Sequence, residues 1–171
     1  MPAKRISRGG VSLEGQAFLA LLRSADSLLR QAEELLKGAG LSHTQYNVLR
    51  ILRGAEREPR GKAGRASKDG GLPCGEIAAR MITRDPDITR LLDRLEARGL
   101  VARSRQKQDR RVVQARITPA GMKLLRELDA PVEALHKQQL RGMQAGHLQT
   151  LLQLLDEVRA ASSAITSISP Q

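Results

Sequence analysis

Residues 87–99 read Asp-Ile-Thr-Arg-Leu-Leu-Asp-Arg-Leu-Glu-Ala-Arg-Gly, and this stretch decides the fold. Ile88, Leu91, Leu92 and Leu95 recur at i, i+3, i+4 and i+7, the spacing of one buried face of an α-helix. Thr89, Arg90, Asp93 and Arg94 lie toward the other side. Gly99 stands where a left-handed residue ends such a helix. Just before it, Ile82-Thr83-Arg84-Asp85-Pro86-Asp87 forms a sharp junction. Thr83 or Asp85 can cap the helix there, and Pro86 is tolerated because first-turn amides lack intrahelical partners.

The flanks of this helix define its setting. Upstream, a short helix is expected from about Cys74 to Met81, with Ile77, Ala78 and Met81 inward. Two short helices meeting at a tight turn make a helix-turn-helix, whose second helix fits a DNA major groove. Downstream come two extended runs, Leu100 to Arg105 and Val112 to Ile117, around the polar turn Gln106-Lys107-Gln108-Asp109-Arg110-Arg111. The second run alternates with a period of two, so the pair reads as a β-hairpin with a charged tip. Thr118-Pro119 then opens another helix, Thr capping and Pro at its first position. That helix carries Leu124, Leu125, Leu128 and, beyond Pro131, Leu135; a last one runs from about Gln144 to Ala164. At the other end, a Leu-rich helix from about Ser12 to Lys37 stops at Gly38 and Gly40. Ser42 caps the next, which places Tyr46, Leu49 and Leu52 inward.

The expected architecture is mainly α with a small β-hairpin wing: a winged helix-turn-helix lobe joined to a helical dimerisation lobe. Residues 1–11 form a disordered basic arm, 12–40 a dimerisation helix, 41–117 the winged helix-turn-helix lobe, 118–165 further dimerisation helices and 166–171 a tail. Within the DNA-binding lobe, 54–71 is rich in Gly and charge and reads as a flexible loop. The terminal helices hold more Leu than one small lobe can hide, which points to a second copy of the chain as their cover.

The outward residues carry the chemistry. Arg90 can donate two hydrogen bonds to guanine O6 and N7, and Thr89 offers a hydroxyl and a methyl. Arg94 follows one turn on, and Arg84 sits beside the backbone at the helix start. Residues 103–116 hold six basic residues, Arg105, Arg110 and Arg111 among them, against the single acid Asp109. Like charges crowded on a hairpin repel unless they meet an anion, and a narrow minor groove is strongly negative. Asp109 makes sense if it pairs with a neighbouring Arg and directs it; an ordinary turn Asp is the other reading.

The runs Ile77-Ala78-Ala79-Arg80, Asp87 through Val101, Asp109-Arg110-Arg111 and Ile117-Thr118-Pro119-Ala120-Gly121 resemble the MarR family of bacterial regulators. The likeness spans about residues 12–165. It implies a homodimer that binds pseudo-palindromic promoter DNA, usually as a repressor, and is released by a small-molecule effector or another signal. By position it implies that Thr89 and Arg90 read bases, and that Asp109 and Arg111 form the wing pair whose Arg enters the minor groove. His43 and Tyr46 fall near the lobe junction, where effectors of the family bind. The chain departs from the family pattern in the long 54–71 segment, in the Arg-Asp-Pro-Asp that opens the recognition helix, and in its scarcity of aromatic residues.

Composition agrees. Of 171 residues 40% are apolar but only 1% aromatic, Phe18 and Tyr46 alone, which favours a helical core of aliphatic side chains. The net charge of +11 suits a polyanionic partner. One cysteine, Cys74, forms no internal disulfide, and His43, His136 and His147 are scattered without metal-ligand spacing. Gly54 to Lys62 fails as a phosphate loop, because Ala63 stands where Ser or Thr is needed. No nucleophile elbow or zinc-protease motif occurs, so neither an enzyme, a cofactor nor a metal is expected. The absence of a leader or a long apolar run points to a cytoplasmic protein without membrane association. Double-stranded DNA is the expected partner. The rival reading is a nonspecific architectural DNA-binding protein; a third is a peripheral protein using 54–71 on anionic lipid.

Overall fold

The computed structural model describes residues 10–57, 71–82, 87–105 and 112–166. The element order is α1 (Leu13–Lys37), α2 (His43–Arg57), β1 (Leu72–Pro73), α3 (Cys74–Arg80), α4 (Ile88–Ala97), β2 (Val101–Arg105), β3 (Val113–Ile117), α5 (Pro119–Gln139) and α6 (Ala145–Thr166). The chain divides into two compact units, Met1–Val132 and Glu133–Gln171. The fold is mainly helical, with a small antiparallel three-stranded sheet.

In the first unit, Ser12 caps α1, its hydroxyl accepting from the Gly15 N–H at 3.0 Å. Leu36 is the one buried residue of α1. Gly40, at φ 67°, turns the chain so that Leu41 re-enters the core. Ser42 and Gln45 then cap each other's amides, the Gln45 N–H to Ser42 Oγ at 3.2 Å and the Ser42 N–H to Gln45 Oε1 at 3.0 Å. This reciprocal box starts α2, whose Val48, Leu49 and Leu52 are fully buried. α2 also runs one turn further than expected, through Gly54 to Arg57. Ala55 is drawn into the core three residues beyond Leu52, and its burial offsets the helix-weakening effect of the neighbouring Gly54. The remainder of the expected flexible loop, residues 58–70, lies outside the described residues, as do the arm at 1–9 and the tail at 167–171.

α3 buries Ile77 alone. Ala78, expected inward, is exposed, since a helix of this length packs along one face and the next residue turns about 100° away. Sequence reading also missed β1, two residues including a proline. β1 pairs Leu72 with Ala115 and Pro73 with Gln114, which makes β3 the central strand in the order β1-β3-β2. Pro73 is tolerated on that edge. The added strand explains why polar Gln114 is buried: a Cβ on Gly71 would lie 3.1 Å from its own Cβ. The expected hairpin is present, with Val101 opposite Ile117 and Arg105 opposite Val113.

α4 buries Ile88, Leu91, Leu92 and Leu95, the face read from the sequence. Its cap is Asp87, not Thr83 or Asp85, because the helix begins only at Ile88, beyond Pro86. Gly99 ends it at φ 67°, and Thr118 caps α5 through the Gly121 N–H at 3.1 Å. Leu125 and Leu128 of α5 complete one core built from α1, α2, the sheet, α3 and α4. In the second unit, α5 ends and α6 follows after a short turn; Leu148, Leu151 and Leu155 are half-buried, and Leu152, Leu154 and Val158 are exposed. Pro131 sits inside α5 without breaking it.

Candidate nucleic-acid interface

α4 is amphipathic in the strict sense: its apolar stripe is closed into the core and its polar face is open. Thr89, Arg90 and Arg94 are all exposed on that outer face. The Arg90 side chain is 77% exposed, so its guanidinium is available to a ligand. Asp87 shapes how it is held. One carboxylate oxygen accepts the Arg90 backbone N–H at 3.0 Å, and the other lies 3.0 Å from Arg90 Nε.

The wing is tied to this helix at its root. Arg103, on β2, places Nη2 2.6 Å from Asp93 and 2.6 Å from Glu96, with Nε 2.7 Å from Glu96. The Arg103 backbone N–H also donates to Glu96 at 3.1 Å. These hydrogen bonds hold the Glu96 carboxyl below the ordinary carboxylate range and push the Arg103 guanidinium's pKa up. Arg103 is one of the hairpin cations expected to meet an anion; its charge is instead matched within the fold by Asp93 and Glu96. The i, i+3 pair of acids on α4 was the signal, but their partner lay across a turn and on another element.

Arg105 is exposed at the outer end of β2, and Arg116 is exposed on β3. Arg84, Asp109, Arg110 and Arg111 lie outside the described residues. The far end of α4 is anchored by Arg98, which donates to the carbonyls of Gly40 at 2.5 Å and Ala39 at 3.0 Å. It thereby joins the recognition-type helix to the turn that follows α1.

His43 and Tyr46 share the first turn of α2. Tyr46 is buried, and burial pushes its phenol's pKa up; Arg50 stacks 5.9 Å above its ring. His43 is half-buried. Cys74 is half-buried, with its thiol 3.8 Å from the Val113 carbonyl. Among the described residues no group of His, Cys, Asp and Glu could hold a metal ion, and no helix is long and apolar enough to cross a membrane.

Comparison with known proteins places this geometry. A sequence model described as MarR family matches residues 65–113, which span α3, α4 and β2. A crystal structure of a MarR transcription factor from Planctomyces limnophilus is 38% identical, covers 87% of this chain and 98% of its own, and superimposes with a TM-score of 0.62. The HTH-type transcriptional repressor IacR of Pseudomonas putida is 26% identical over 141 residues, 82% of this chain and 76% of that protein. BpsR of Bordetella bronchiseptica, whose DNA binding is regulated by 6-hydroxynicotinic acid, shares the fold. It is 21% identical over 84% of this chain and 98% of its own, with a TM-score of 0.69.

Proposed function

The chain belongs to the MarR family of DNA-binding transcription regulators, a family of regulators rather than enzymes, and we propose that it is a repressor that grips pseudo-palindromic promoter DNA as a homodimer. The observation that carries this reading is the outer face of α4. Thr89, Arg90 and Arg94 stand exposed on a helix whose opposite face is locked into the core, so they meet a groove without unfolding anything. Arg90 and Thr89 read base edges, Arg94 reaches base or phosphate, and Arg84 meets the backbone. Arg105 and the wing residues Asp109, Arg110 and Arg111 serve the adjoining minor groove, Arg111 as the inserted side chain and Asp109 as the residue that directs it.

The homodimer is supported by apolar surface that one chain leaves uncovered. Leu13, Phe18 and Leu22 of α1 and Leu152, Leu154 and Val158 of α6 are exposed. Water contact with so many large apolar groups is costly, and a two-fold partner removes it while setting two α4 helices about one DNA turn (~34 Å) apart. The proposed signal is a small-molecule effector at His43 and Tyr46, which releases DNA by preferring one spacing of the two reading helices over another; regulation of BpsR by 6-hydroxynicotinic acid supports a small molecule in this role.

The test is footprinting on the DNA upstream of the protein's own gene. A protected stretch with two similar half-sites, occupied by two chains, is the expected result. Uniform coverage without a preferred site would replace this reading with that of an architectural DNA binder.

A further inference from the structure

We propose that Asp87 is a specificity-determining residue: it grips Arg90 by Nε, leaving the outer pair of guanidinium nitrogens aimed at a guanine edge. The proposal deepens the reading of α4 as the base-reading helix and rests on it.

An acid at the start of a helix that meets a polyanion is at first sight misplaced. Its carboxylate repels phosphates and so weakens binding to every DNA sequence alike. The geometry supplies an offsetting role. Asp87 Oδ1 accepts the backbone N–H of Arg90, which fixes the main chain from which that side chain springs. Asp87 Oδ2 lies 3.0 Å from Arg90 Nε, which fixes the root of the guanidinium itself. A guanidinium presents its donors along two edges, one containing Nε and one formed by Nη1 and Nη2. With Nε engaged by Asp87, the Nη1–Nη2 edge remains for the acceptor pair O6 and N7 of guanine. An Arg side chain otherwise explores many rotamers; one already held loses less freedom on binding its proper base. A held Arg is also less able to reorient toward a wrong base or a nearby phosphate. Asp87 therefore lowers affinity in general and raises discrimination, as specificity devices commonly do.

The plainer role for Asp87 is helix capping alone, and substitution separates the two. Asparagine caps as well as aspartate, but its amide nitrogen cannot accept a hydrogen bond from Nε. Asp87→Ser also caps and is too short to reach Nε. The probe is a duplex selected by the wild-type protein from a random-sequence library, compared with single-base variants of it and with random duplex at one salt concentration. Arg90→Ala locates the base pair whose identity depends on Arg90. At that base pair, Asp87→Asn and Asp87→Ser are expected to lower discrimination roughly three- to tenfold while binding random duplex more tightly, with an unchanged melting temperature. Full discrimination in both Asp87 variants, alongside its loss in Arg90→Ala, would overturn the role of Asp87 and leave base reading by Arg90 standing. Unchanged preference at every position in Arg90→Ala would overturn both.

Discussion

Arg90 and Gly121 mark the two ways in which single residues serve this molecule, one by what it offers and one by what it leaves out. Arg90 offers an exposed guanidinium on a rigid helix. Arg90→Ala should cost ~1–3 kcal/mol on the preferred duplex and relax preference at one base pair, measured by titration against single-base variants. Gly121 leaves room: a Cβ there would lie 2.4 Å from the Leu100 carbonyl oxygen and 2.8 Å from an Ile117 side-chain carbon. Gly121→Ala should therefore destabilise the fold by about 1–3 kcal/mol, read from denaturant unfolding, because backbone must move. Residue roles were legible in the sequence where they depend on neighbours a few positions away. Gly99 as a left-handed cap and Thr118 as an N-cap are such cases. Arg103 was not legible, because its partners Asp93 and Glu96 are reached only after β2 folds back beside α4.

At the scale of elements, that ion cluster adds a charged link between the wing and α4 to the packing they already share. Each such pair is partly exposed and contributes only ~0.2–1 kcal/mol to stability. Its larger consequence is local: Arg103→Ala should speed hydrogen exchange of the β2 and β3 amides while the α2 amides stay protected. Acid should likewise lower the protection of those amides, read as exchange relative to the intrinsic rate at each pH. The folded-state pKa of Glu96 is depressed, so its contribution is complete above the ordinary carboxylate value. It is lost as pH falls through the lower folded value, which leaves the clamp intact across the neutral range. Glu96→Gln should lessen this acid sensitivity of wing protection, the Asp93–Arg103 pair remaining in place. α1, α4 and the hairpin could be read from periodicity, since 3.6- and 2-residue patterns are written in adjacent positions. β1 could not, because two residues carry no period and Leu72 becomes a strand only by pairing with Ala115. The extension of α2 past Gly54 was hidden for a similar reason, the burial of Ala55 outweighing a locally unfavourable glycine.

The whole molecule is a strongly basic chain, at +11, with apolar side chains left in water on α1 and α6. An excess of Leu in the terminal helices was visible in the sequence, but which of them stay exposed was not, since that depends on how one face of α1 meets the core at Leu36. Phe18→Glu combined with Leu22→Glu should place charges in the proposed dimer interface and yield monomers by analytical ultracentrifugation, with helix content by circular dichroism preserved. Those monomers should bind a palindromic site far more weakly than the parent protein. The central claim is that α4 reads sequence, and not merely charge. The most direct measurement is the ratio of affinities for the duplex selected by this protein and for a scrambled duplex of equal length, at one physiological salt concentration. A ratio of about a thousandfold or more, falling sharply in Arg90→Ala, is the predicted result; a ratio near one, unaltered by that substitution, would contradict it.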